Sequence, residues 1–164
     1  MKSPTVLKDK KISKQEGFTL IEIMVVISML VIISSLGLYY NFSNLHSYSF
    51  HGDRDNLVSA LQHARSQAVS NICYGTCTDG KSHGVYIEED QYIIFQGVDY
   101  DNRDEDYDAF IEANPNIEHS GLDEVVFDQL TGDANAGDII ITDPTTSRTS
   151  TISINSEGQI IWTN

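Results

Sequence analysis

Residues 18–40 read FTLIEIMVVISMLVIISSLGLYY, a run of 23 residues with one charge, Glu22, and apolar side chains on every face of a helix. At 1.5 Å per residue such a helix spans roughly 34 Å, enough for a hydrocarbon layer of about 30 Å. It exceeds the apolar core of a secretory signal, about 7–15 residues, and no A-x-A cleavage site follows it. Lys2, Lys8, Lys10, Lys11 and Lys14 precede it against Asp9 and Glu16. Flanking lysines hold that end in the cytoplasm, so the run predicts a single-pass, N-in/C-out membrane helix. Burial inside a soluble domain is the weaker alternative, because about 90 mostly β residues cannot surround so long an apolar helix.

Glu22 does not fit a lipid-facing helix. A carboxylate at membrane depth is unfavourable, by up to roughly 3 kcal/mol at the centre, and such groups have partners. No Lys, Arg or His lies between Lys14 and His46. Cutting the chain after Gly17 would create one cation, the α-ammonium of Phe18, four residues from Glu22. That pair can form within one chain or between chains staggered along a filament. The alternative is a tolerated glutamate at the membrane interface.

The segment Lys14-Gln15-Glu16-Gly17-Phe18-Thr19-Leu20-Ile21-Glu22, followed directly by the apolar run, resembles the class III signal of type IV pilins and type II secretion pseudopilins. The resemblance implies cleavage after Gly17 by a membrane prepilin peptidase, N-methylation of Phe18, and contact of Glu22 with the Phe18 amine of an adjacent subunit. It also implies other pilins or pseudopilins and an inner-membrane assembly platform as partners. Many pilins carry a proline in the second half of this helix; here only Gly37 interrupts it.

Beyond the run, residues 41–53 are a polar stretch, read as a helical neck or a short break. Leu57, Ala60, Leu61, Ala64, Ala68, Val69 and Ile72 then recur at three- and four-residue spacing, the mark of an amphipathic helix. Asp53 and Asp55 suit its first turn, and Gln62, Arg65, Ser66 and Gln67 its polar face. Strands are expected at 84–88, 91–95, 124–127, 138–142, 149–155 and 159–162, the first two joined at Glu89-Asp90. No periodic helix separates them, so the sheet should be antiparallel or mostly so and the class α+β. The expected organisation is a cleaved leader (1–17), a transmembrane helix (18–40), a neck with amphipathic helix (41–72) and an antiparallel β head (73–164).

This order resembles the H-type minor pseudopilins of type II secretion and the FimT-like minor pilins. Three downstream cues carry the likeness. They are Ala64-Arg65-Ser66-Gln67-Ala68 late in the helix, Phe127 to Gly132, and a terminal glycine-containing hairpin from Asn155 to Trp162.

The remaining chemistry is sparse. Cys73 and Cys77 enclose Tyr74-Gly75-Thr76, and a disulfide is favoured over two free thiols or a metal site, with Gly75 allowing the tight ring. Asp104, Asp106 and Asp108 lie in an acidic stretch and are the calcium candidates, but the pattern lacks the glycine and terminal glutamate of a calcium loop. A fainter pattern runs through Asp133, Asn135 and Asp138, and a solvated acidic loop is the simpler reading. No cofactor is expected otherwise. The histidines 46, 51, 63, 83 and 119 have no ligand spacing, and no nucleophile elbow occurs, so the chain reads as a non-enzyme.

The net charge of −14 opposes binding to polyanions, and past residue 72 only Lys81, Arg103 and Arg148 could meet a phosphate. A DNA-uptake receptor is disfavoured accordingly. The expectation is a minor pilin or pseudopilin, first in the inner membrane and then in an extracytoplasmic filament. A filament-tip adhesin is the alternative.

Overall fold

The computed structural model describes residues 17–76 and 79–163, with the side chains of residues 36–47 outside that description. The basic leader before Gly17 and Cys77 therefore lie outside the described residues. The chain divides into two units, Met1–Phe42 and Ser43–Asn164, taken separately below.

Helix α1 runs from Leu20 to Val69. In the first unit Thr19 caps it: the backbone N–H of Glu22 donates to Thr19 Oγ1 at 3.3 Å, satisfying one of the unpaired amides of the first turn. Every described side chain from Phe18 to Ser35 is exposed. Ser28 and Ser35 return their hydroxyls to the carbonyls of Met24 and Ile32, at 2.7 and 2.8 Å, which removes two polar groups from an apolar surface. Among the described residues no helix is long and apolar enough to cross a membrane; the described side chains stop at Ser35, whereas the apolar run continues to Tyr40.

In the second unit, residues 43–53 are helical without a break. Asp53 and Asp55 therefore do not open a helix, as the sequence suggests; they lie within one, and Asp53 is buried. Leu57, Ala60, Leu61, Ala64 and Ala68 are completely buried, joined by Phe50 and Val58, while Val69 turns outward and Ile72 falls beyond the helix. Gln67, assigned to the polar face by spacing, is buried as well. The helix ends in a Schellman motif. Asn71 takes the left-handed conformation (φ 55°), its N–H donating to Ala68 O and that of Ile72 to Gln67 O, both at 3.0 Å.

Eight strands follow: β1 His83–Ile87, β2 Gln91–Gln96, β3 Ala109–Glu112, β4 Glu118–Gly121, β5 Glu124–Phe127, β6 Gly137–Asp143, β7 Arg148–Ile154 and β8 Ile160–Thr163. They form two four-stranded sheets, ordered β3-β2-β1-β5 and β4-β6-β7-β8, with every pairing antiparallel. The α+β class holds, but one expected sheet is two, and β3 and β4 are additional edge strands. The second half of α1 packs on both sheets, through Tyr92 and Ile94 of the first and Ile139, Ile141, Ile152 and Ile154 of the second.

Strand β2 is buried on both faces, which accounts for its unbroken apolar run. Its outward Phe95 lies under the acidic stretch, held there by a stack: Tyr100 lies flat on Tyr86 (ring centroids 3.8 Å) and edge-on to Phe95 (5.7 Å). The Arg103 guanidinium covers Tyr100 from 3.8 Å. The acidic stretch is thus anchored through its one arginine, while Asp101, Asp104, Glu105 and Asp106 are exposed to solvent.

Candidate functional site

The N-terminal signal residues fall at the start of α1. Phe18 is 79% exposed and lies just ahead of the Thr19 cap. Glu22 is the third helical residue, where a carboxylate faces the partial positive charge of the helix terminus. Among the described residues Glu22 makes no ion pair. Gly17, Phe18 and Glu22 are therefore displayed together at one exposed helix end.

A second arrangement lies inside the head and had no sequence signal. The Asp53 carboxylate, its side chain 1% exposed, receives three donors. The Asn114 backbone N–H reaches Oδ1 at 2.9 Å, and Oδ2 takes the Tyr92 hydroxyl at 2.8 Å and His119 Nε2–H at 3.1 Å. Tyr92 Oη also lies 2.7 Å from His119 Nε2, so the phenol donates to the carboxylate and accepts from the imidazole. Burial, then the Asp53 charge and its hydrogen bond, push the Tyr92 phenol far above its ordinary pKa. The cluster ties α1 to β2 and β4. Both Asp53 oxygens, the Tyr92 hydroxyl and His119 Nε2 are engaged within the cluster or by the Asn114 amide, so the arrangement clamps the helix to the two sheets. His119 also borders a cavity of about 650 Å³ with acidic walls, Glu88, Glu118 and Asp123 among them.

The third arrangement joins the three downstream cues. Arg65 donates from Nη2 to the Glu157 carbonyl at 3.2 Å. Gly132 and Gly158 both have positive φ, 70° and 68°. A Cβ on Gly132 would meet Val69, and one on Gly158 would collide with the Gly132 carbonyl oxygen and lie 3.0 Å from Arg65 Nε. The Ala-Arg-x-x-Ala segment and the two glycine cues are one contact.

Residues 53–158 match the family described as type II transport protein GspH, about two thirds of the chain. The chain belongs to the GspH family. Residues 12–38 match the prokaryotic N-terminal methylation motif, which contains Gly17, Phe18 and Glu22. No curated protein and no solved structure matches significantly. As a GspH-family member with this motif, the protein is a minor pseudopilin of type II secretion.

In this GspH-family head the other sequence candidates are placed as follows. Cys73 is disulfide-bonded, and the sequence holds one other cysteine, Cys77, outside the described residues. Gly75 has φ 92°, and a Cβ there would sit 2.6 Å from Tyr107 Oη. Asp104 precedes the 3-10 turn Glu105–Tyr107, which contains Asp106. Asp108 is turned inward onto Arg103, accepting from Nε at 2.7 Å, a bond that raises the guanidinium pKa further. The three calcium candidates do not converge, and among the described residues no three His, Cys, Asp or Glu side chains are grouped to hold a metal. Of the fainter set, Asn135 spends its amide on Val126 N and Glu124 O.

Proposed function

We propose that this minor pseudopilin is cut between Gly17 and Phe18 by a prepilin peptidase, methylated on the Phe18 amine, held in the inner membrane by residues 18–40, and then drawn into an extracytoplasmic filament. Its role there is structural rather than catalytic. The observation that carries this reading is Glu22, a charge without an ion pair among the described residues, in the first turn of a helix whose side chains as far as Ser35 are exposed and mostly apolar. Lipid covers such a surface before assembly and neighbouring helices cover it afterwards.

Cleavage gives Phe18 an α-ammonium directly ahead of the positive end of α1, an unfavourable place for a cation. The Glu22 carboxylate of an adjacent subunit relieves that, and the attraction strengthens as both groups leave water. Docking of each new subunit is thereby biased toward one axial stagger. Mass spectrometry of the mature protein tests the processing: its first residue should be Phe18 carrying one added methyl group. A mature chain that starts elsewhere or keeps its lysines would refute the reading. A Glu22→Ala variant should still be cleaved and yet enter filaments poorly.

A further inference from the structure

Between the last turns of α1, strand β2 and the 3-10 turn lies a cavity of about 170 Å³. Among its deeply buried lining residues are His83, at 1% exposure, and Gln67, at 6%. Each has a polar atom with no partner, His83 Nε2 and Gln67 Oε1. His83 Nδ1 lies 3.0 Å from the Lys81 carbonyl and so carries the proton, leaving Nε2 as a bare acceptor. Burial lowers the imidazole pKa, against the Lys81 bond that raises it, and the neighbouring His63, which also lines the cavity, lowers it further; the ring is neutral. Gln67 donates from Nε2 to Tyr74 Oη at 2.9 Å, so its Oε1 is the second acceptor.

The other walls include Tyr74 and Tyr107, stacked with centroids 6.1 Å apart, and Phe95. The Gln96 amide is spent on the Tyr74 backbone, accepting from N at 2.6 Å and donating to O at 3.2 Å. The described lining holds no Asp, Glu, Lys or Arg. Two acceptors between aromatic faces suit a group that only donates and that an aromatic ring attracts. A neutral amide or alcohol brings an acceptor of its own, whereas an ammonium brings none. The net charge of −14 draws cations toward the mouth.

We propose that this cavity binds a primary alkylammonium group, which donates to His83 Nε2 and Gln67 Oε1 with its chain against the aromatic walls. The volume suits about five or six water-sized groups, the size of a butylammonium ion or the end of a lysine side chain.

The full chain in detergent micelles, at mildly alkaline pH, is titrated with n-butylammonium chloride while the His83 imidazole and Gln67 amide resonances are followed. Saturable shifts of both are expected. 1-Butanol should bind at least about tenfold more weakly, the worth of one lost hydrogen bond. Gln67→Met should lose the butylammonium response and Gln67→Glu strengthen it. Tighter binding of the peptide acetyl-Gly-Lys-Gly-amide than of butylammonium assigns the site to a partner's lysine, and the reverse order to a free amine. No saturable shift, or equal binding of 1-butanol, overturns the proposal, and that comparison needs only the unaltered chain.

Discussion

Arg65 on α1 and Glu157 in the turn before β8 are joined by a hydrogen bond from the guanidinium Nη2 to the main-chain carbonyl, at 3.2 Å across 92 residues of sequence. The bond is short enough only because two glycines clear the path. The turn at Gly158 presses on the Gly132 carbonyl, and both lie against the arginine side chain. The late-helix arginine and the two glycine segments, each weak as an isolated motif, therefore belong to one packed contact between helix and head.

Gly158→Ala tests that contact. The residue has φ 68° and no room for a Cβ, so the variant bears both a left-handed backbone penalty and a displaced turn. A loss of at least roughly 1–3 kcal/mol is expected, read as a lower denaturant midpoint with unchanged slope. Arg65→Met, which keeps the stem, should cost less, about 1 kcal/mol.

Removing Asp53 should be far more damaging. Asp53→Ala leaves the Tyr92 hydroxyl, the His119 ring and the Asn114 amide without their acceptor in a buried site. The expected cost is roughly 3–5 kcal/mol in chemical denaturation, against about 1.5–3 kcal/mol for Tyr92→Phe. The double variant should fall short of the sum, since both changes break the same bond.

How far the sequence discloses this fold depends on the side chain's surroundings. The membrane-length run is legible because it is apolar on every face, and the stripe from Leu57 to Ala68 because it is periodic, with one medium on each side. Strand β4, Glu-His-Ser-Gly, reads as a loop because it is a short polar edge strand, and its inward His119 answers an acid 66 residues away. Gln67 looks solvent-facing by spacing, yet Tyr74 folds back over it from beyond the helix end. Asp53 misleads in the same manner: acids favour helix starts, but here a buried tyrosine and histidine hold one inside a helix. Long-range polar partners leave no local pattern, so the clamp and the His83 cavity emerge only with the fold.

His83 gives a pH dependence with a definite sign. Its folded pKa lies below the unfolded value of 6.5, so the unfolded chain binds the proton first as pH falls. Its contribution is intact above 6.5 and is lost as pH drops through that value toward the folded pKa. The slope in that window is at most about 1.4 kcal/mol per pH unit. Denaturation at several pH values should show wild type losing stability on acidification more steeply than His83→Gln, which has no proton to take up. Parallel curves would remove His83 as the cause.

Glu22 has two physical roles that one pair of variants separates. As the third helical residue it supports the start of α1, where Thr19 already caps its amide. As a charge it meets the amine proposed for a neighbouring Phe18. Glu22→Gln keeps a side chain that suits the capping position but removes the charge, whereas Thr19→Ala removes the cap, at about 1 kcal/mol, and leaves the charge. If pairing dominates, Glu22→Gln should lower filament incorporation at least about tenfold, as expected for a broken pair shielded from water, while Thr19→Ala should assemble nearly normally. Counting each variant in sheared filaments against its membrane pool gives the ratio directly. Equal incorporation of the two would place the function of Glu22 in helix initiation instead.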